Sequence, residues 1–312
     1  MVKLRTEIKD PETLPGYLAL LKSGVLEKRV KEAVDAMAHC KLCPRRCDVD
    51  RLHGDRGYCR SGARAVVASY SPHFGEEDVL VGIGGSGTIF LTYCNLRCIF
   101  CQNCDISQKG EGREVSPEEL ARMMLKLQDM GCHNLNFVSP SHFIAPILQG
   151  VLAAAREGLR IPLVYNSGGY DVVEALELLD GVFDIYMPDL KFADPQVSRR
   201  LADAGDYFSV AKEAVREMHR QVGDLKTANR GIAYRGLLVR HLVLPEDLAG
   251  TREIMEFLAR EISVNTVVNI MGQYYPAHQA AREPALGRRV SRKELLRAVE
   301  IAQETGLKRI IP

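Results

Sequence analysis

The sequence predicts an α/β fold: a partial (β/α)6 barrel of the TIM type, preceded by a small cysteine-rich segment suited to metal binding. Three observations predict it. Strand-length apolar runs alternate with helical patterns six times from Thr88 onward, which implies βαβ units and a parallel sheet. Seven of the nine cysteines fall in two groups, at 40–59 and 94–101. Polar residues stand at the carboxyl ends of the strand-like runs, where parallel barrels keep their working groups. At 312 residues, 46% hydrophobic and 26% charged, the chain can bury such a core. Lys and Arg number 41 against 40 Asp and Glu, so no basic field for nucleic acid exists.

Residues 1–38 read as a helical lead-in, with Leu26, Val30, Ala33, Val34 and Met37 at helical spacing. Cys40-x2-Cys43-x3-Cys47-x11-Cys59 follows, among Pro44, Gly54 and Gly57. This segment has little core of its own, so metal–thiolate bonds would stabilise it instead. Four thiolates make a closed shell, suited to zinc or to a second [4Fe–4S] cluster. His39 reads as a helix-end residue. Short strands are predicted at 65–68, 79–81 and 88–92. Between the last two, Gly82-x-Gly84-x-x-Gly87 leads into a strand, not a helix, which excludes a dinucleotide fingerprint. The expected role of these glycines is a tight turn bringing backbone to the group held by the later cysteines. These elements divide the chain into an amino-terminal unit, 1–79, and the barrel, 80–312.

The barrel elements follow in order. Ser116 caps a helix that opens on Pro117 and stops at Gly131. Then come strand 134–138, helix 142–157, strand 163–165, helix 171–179, strand 184–187 and helices across 195–223. Strand 236–243, helix 251–261, strand 265–270 and helix 291–305 complete the pattern.

Cys94-x3-Cys98-x2-Cys101 directly follows the first barrel strand. Thiolates at this spacing suit iron–sulfur or zinc, and three ligands leave one coordination position for something other than protein. With Phe100 and the wider string Gly85–Asn103, this motif resembles that of the radical S-adenosylmethionine (SAM) superfamily. More narrowly, it is similar to uncharacterised proteins related to pyruvate formate-lyase activating enzyme. The resemblance covers roughly residues 80–275, and the segment 39–62 also fits that group.

The resemblance implies a [4Fe–4S] cluster on Cys94, Cys98 and Cys101, with SAM chelating its open iron. Reductive cleavage of SAM would then yield a 5′-deoxyadenosyl radical for hydrogen abstraction. Cofactor-binding candidates at the strand ends are Ser139, Ser141, Asn166, Ser167, Asp189, Lys191, Arg240 and Gln273. Ser139-Pro-Ser-His142 stands where the family usually has a glycine pair and Glu; Ser139 and Ser141 are the substitutes. Lys191, in an activating-enzyme-like Asp-Leu-Lys, is directed at SAM. Cys104, where an aromatic residue is common, reads as incidental. His73, His133 and His142 are not expected to be catalysts, because this half-reaction needs no acid–base pair.

Three functions follow as expectations. The leading one is activation of a glycyl radical enzyme, with that enzyme as protein substrate and a flavodoxin or ferredoxin as electron donor. The second is radical modification of a small molecule or of another protein residue. The third is a non-catalytic iron–sulfur electron carrier. The opening Met1–Asp10 mixes charges too early for a signal peptide, no membrane span is evident, and nine cysteines without a secretory context point to a cytoplasmic location.

Overall fold

The structure, a computed structural model, describes residues 13–312. Of the expected lead-in, residues 1–12 lie outside the described residues. The remainder forms α1 (Gly16–Ser23) and α2 (Val25–Asp35), separated at Gly24, whose φ of 75° closes the first helix in the left-handed region. Residues 40–62 are irregular apart from one 3-10 turn, Arg51–His53, capped by Asp50.

β1 (Ala65–His73) runs antiparallel to β2 (Ser86–Leu91) and to β3 (Arg113–Val115). The barrel then alternates α4 (Pro117–Asp129), β4 (Leu135–Val138), α5 (Ile144–Arg156), β5 (Leu163–Ser167), α6 (Val173–Glu177) and β6 (Ile185–Pro188). It continues with α7 (Pro195–Ala202), α8 (Tyr207–Val222), the two-residue β7 (Lys226–Thr227), β8 (Ala233–Leu242), α9 (Thr251–Phe257), β9 (Val267–Met271), α10 (Arg292–Glu304) and β10 (Arg309–Ile311).

Strand order is β10-β9-β8-β6-β5-β4-β2-β1-β3, with β7 paired to β8. The strands from β2 to β10 along that path are mutually parallel. This is the predicted α/β partial barrel, with one parallel strand more than the six expected. β10 is three residues long, too short to carry a readable period.

Two sequence expectations are corrected. Residues 79–81 are not a strand but the end of a helical turn, α3 (Asp78–Val81). The excursion between β1 and β2 leaves and returns at the amino end of β2, where His73 pairs with Ser86. It carries Leu80 into the barrel, against Val164, Ile185, Met187, Leu238 and Val267. An apolar plug is needed there because a partial barrel does not fill its own lumen. The glycines at 82–87 therefore lie at the amino end of β2, whereas the cysteines follow its carboxyl end. A Cβ on Gly84 would come within 2.0 Å of the Gly131 carbonyl oxygen, so these glycines serve close packing there, not approach to the cysteines.

The amino-terminal helices lean on the same end. Asp184, just before β6, accepts from Gly16 N at 2.8 Å and Leu163 N at 3.1 Å, and Tyr17 Oη donates to Ile161 O at 3.1 Å. Met37, Cys40 and Leu42 belong to the same buried cluster as the helices outside the barrel.

Candidate cluster site and barrel mouth

Cys94 follows β2 and begins a loop held by backbone hydrogen bonds to α7: Arg97 N to Ala202 O at 3.1 Å, and Ile99 N to Leu201 O at 2.9 Å. Leu96 N donates to Cys94 Sγ at 3.4 Å, and Ser107 Oγ lies 3.1 Å from Cys101 Sγ. Burial pushes the Cys94 thiol up to about 11 and Cys98 up to about 12, and the three sulfurs sit within electrostatic reach of one another. Such thiols are not thiolates at neutral pH unless a metal displaces their protons. Cys104 Sγ lies 3.9 Å from Asp105 Oδ1.

Across from the triad the strand ends assemble a partly buried ionic chain. Lys191 Nζ donates to Asp189 Oδ2 at 2.5 Å. Arg240 Nε donates to Asp189 Oδ1 at 2.9 Å, Arg240 Nη2 to Asn166 Oδ1 at 2.6 Å, and Arg240 Nη1 to Glu76 Oε2 at 3.4 Å. Burial drives the Asp189 carboxyl upward, but Arg240 and Lys191 outweigh it and hold the carboxyl below its ordinary range. Burial likewise opposes the Lys191 ammonium, and Asp189 with Cys98 overcomes it, so Lys191 stays charged. Glu76, on the plug, is pushed up by burial despite Arg240. Beside it Glu77 accepts from Asn269 Nδ2 at 2.8 Å through Oε1, while its Oε2 is buried without a partner.

Gly168 and Gly169 bring backbone up to this chain. A Cβ on Gly168 would meet Leu96 Cδ1 at 3.1 Å and Lys191 Cε at 3.7 Å. The Gly169 φ of +73° and its approach to the Asp189 carbonyl both exclude a side chain. Tyr207 Oη, 2.8 Å from both the Gly168 and Asp189 carbonyl oxygens, also accepts from Lys191 N at 3.0 Å.

Asn166, Asp189, Lys191 and Arg240 are thus brought together beside the triad. Ser139, at a φ of 58°, joins them through its backbone, donating to Asn166 O at 2.9 Å. Gln273 is exposed on the triad's side, its carbonyl accepting from Gln102 at 3.4 Å. Ser141 and Ser167 point elsewhere. Ser167 Oγ donates to the buried Asp171 at 2.7 Å, and the Ser141 hydroxyl bonds the same carboxyl. Glu76, Glu77, Gly168 and Tyr207 escaped sequence reasoning. Nothing local in Phe74–Asp78 marks Glu76 and Glu77, and a helical Tyr has no distinguishing pattern.

The four-cysteine segment packs against the triad. Arg45 Nε donates to Asn95 O at 2.8 Å, and Arg97 Nη2 donates to Tyr58 O at 2.6 Å. Cys40, Cys43, Cys47 and Cys59 line one pocket, together with Arg51 and His142. Tyr58 N donates to Cys47 Sγ at 3.2 Å, and Arg51 Nη1 lies 3.6 Å from Cys40 Sγ. Burial pushes the Cys43 thiol up to about 12. Among the described residues, no three His, Cys, Asp or Glu side chains are grouped to hold a single metal ion.

The family model of the radical SAM superfamily matches residues 88–237, the stretch carrying the triad, Asn166, Asp189 and Lys191. The chain belongs to the radical SAM superfamily. Membership implies a [4Fe–4S] cluster and SAM, and the residues present fit them. Three half-buried thiols on one loop leave a cluster position open, with a half-buried cation and paired glycines alongside. An uncharacterised protein of Methanocaldococcus jannaschii is 33% identical over 93% of this chain and 82% of its own length. A second uncharacterised protein of that organism is 24% identical over 46% of this chain and 47% of its own. Among solved structures, methylornithine synthase aligns over 95% of this chain and 74% of that one, at 15% identity and a TM-score of 0.46. A maturase of the [FeFe]-hydrogenase aligns over 98% and 66%, at 14% identity and 0.49. No helix of the described residues in this radical SAM protein is long and apolar enough to cross a membrane.

Proposed function

We propose that this radical SAM protein is an activase-like enzyme that abstracts hydrogen from a glycine of a partner enzyme. Cys94, Cys98 and Cys101 hold the catalytic cluster. When bound, the cluster and SAM supply a reductive cleavage that generates the hydrogen-abstracting radical. The observation that carries the reading is the Lys191–Asp189 pair, half-buried beside Gly168 and the triad. It keeps a cation where a carboxylate or ribose would lie. Gly168 and Gly169 keep side chains out of that space. Tyr207 holds the backbone on both sides of it, and Arg240 keeps Asp189 ionised and aligned. The Leu80 plug fills the lumen from the amino end, which favours a substrate that reaches in at the strands' carboxyl ends, as a protein loop can.

The four-cysteine pocket holds a second metal group in this reading. The N–H from Tyr58 and the Arg51 cation aimed at its sulfurs support an iron–sulfur cluster, whose net negative charge such donors favour. A flavodoxin or ferredoxin supplies electrons. Modification of a small molecule is the second reading, favoured by the unpartnered Glu77 Oε2 beside the mouth residues, an acceptor for a polar ligand. The test is anaerobic: reduced protein with SAM should form 5′-deoxyadenosine, and Cys98→Ala should form none while keeping the iron of the other pocket. A cluster-loaded, reduced protein that leaves SAM intact even beside candidate partners sinks the enzymatic reading. Deoxyadenosine with no glycyl radical signal in any partner moves the target to the second.

A further inference from the structure

His142, which sequence reasoning set aside, lines the four-cysteine pocket and bonds Thr92, two residues before Cys94. It is 2% exposed, in the turn between β4 and α5. Its Nε2 lies 2.9 Å from Thr92 O, and a carbonyl only accepts, so Nε2 carries the proton. With the proton on Nε2, the neutral ring presents Nδ1 as a bare lone pair. That Nδ1 is buried and has no hydrogen-bond partner. The imidazole forms part of the wall of the four-cysteine pocket. Arg51, also 2% exposed, fixes the histidine backbone there, donating to His142 O at 2.8 Å while its other nitrogens hold Gly62 O.

An orphaned lone pair on a buried ring that lines a pocket of thiols is unfavourable unless something meets it. A histidine that ligates metal through one nitrogen characteristically donates its other N–H to a backbone carbonyl or carboxylate, which fixes tautomer and ring orientation. His142 has that arrangement with Thr92. Among the described residues no donor meets Nδ1.

We propose that His142 Nδ1 is an iron ligand of the cluster in the four-cysteine pocket, completing a set with Cys40, Cys43 and Cys59. The proposal rests on the reading of that pocket as an iron–sulfur site. Five donors line a pocket whose cluster has four irons to satisfy, so one cysteine is surplus. Cys47 is the one of the four that is not buried. Replacing a thiolate by a neutral imidazole removes one negative charge from the cluster, which raises its reduction potential relative to an all-cysteine site. The same ring, through Thr92, abuts the loop that begins at Cys94, so the ligand of one cluster packs on the frame of the other.

The experiment uses full-length chain with Cys94, Cys98 and Cys101 changed to Ala, reconstituted anaerobically with iron and sulfide, so that only the amino-terminal pocket is loaded. Iron and sulfide of about four each per chain establish the pocket's cluster. Pulsed EPR of the reduced cluster, with natural and 15N-histidine label, then reads the ligand directly. The expected result is a strongly coupled histidine nitrogen that shifts with the label and persists in Cys47→Ala. In His142→Cys the coupling should vanish, with iron retained and the midpoint potential lowered. A full iron load with no histidine coupling overturns the proposal, as does coupling that survives His142→Cys. Loss of the cluster in Cys47→Ala overturns the assigned set. Failure to take up iron and sulfide overturns the pocket reading itself, and the metal analysis separates that outcome from failure of the histidine alone. The labelled spectrum needs no His142 variant, so a misfolded His142→Cys cannot rescue the idea.

Discussion

At the scale of single residues, the barrel mouth is governed by what Asp189 is asked to balance. It carries one carboxylate between two cations, and the burial that opposes its charge also strengthens both attractions. Lys191 is held at one oxygen only and so keeps donors for a ligand. Lys191→Met should weaken SAM binding to the anaerobic, cluster-loaded protein by about tenfold or more, the loss of roughly 1.5–3 kcal/mol for a charged hydrogen bond. Equilibrium dialysis checks this, and unchanged affinity would remove Lys191 from the site. Asp189, Lys191, Arg240 and Asn166 were legible because each stands at the end of a strand-like run. Glu76 was not, because its partner Arg240 is 164 residues away and only the plug brings them together.

At the scale of elements, local sequence and tertiary demand can be separated. α4 was readable from its first turn, and the structure contains the full reciprocal cap between Ser116 and Glu119. Ser116→Ala should cost about 1 kcal/mol in urea unfolding, since it strips one side of that cap. The docking of α1 depends instead on Asp184, which no local pattern reveals. Burial pushes this carboxyl up to about 7. Its folded pKa is raised above the unfolded value, so the folded state binds the proton more tightly. The contribution is complete below about pH 4 and is lost as pH rises through about 7. Asp184→Asn should flatten stability across that window and also lose about 1–3 kcal/mol, because one backbone N–H then faces an amide N–H. Denaturation midpoints at pH 4.5 and pH 8, taken for both proteins, test the sign. The turn at α3 went the other way. Val79-Leu-Val reads locally as strand, but Leu80 is placed by the need to fill the lumen, and a helical turn delivers it.

At the scale of the whole molecule, the barrel and the cysteine segment differ in what holds them. The barrel has a continuous apolar core, whereas residues 40–62 bring few large apolar side chains and four thiols. Removing metal by chelation should therefore loosen the segment selectively. Limited proteolysis of chelated protein is expected to cut within 44–58 and leave a barrel fragment, while the loaded protein resists. Equal resistance in both states would mean that packing and not metal orders the segment. The two cysteine sites are also joined by hydrogen bonds, from Arg45 to Asn95 O and from Arg97 to Tyr58 O.

The sequence by itself determined the alternation of strands and helices, the two cysteine groups and the polar strand ends. Each of these is written in spacing over a few residues, where chemistry and periodicity coincide. Only the tertiary structure decided that the β1–β2 excursion plugs the barrel, that Ser141 and Ser167 turn to Asp171, and that His142 stands between the cysteine sites. Those outcomes depend on which distant surfaces must be filled or neutralised. That demand is set by burial across the whole chain, and no local pattern of residues records it.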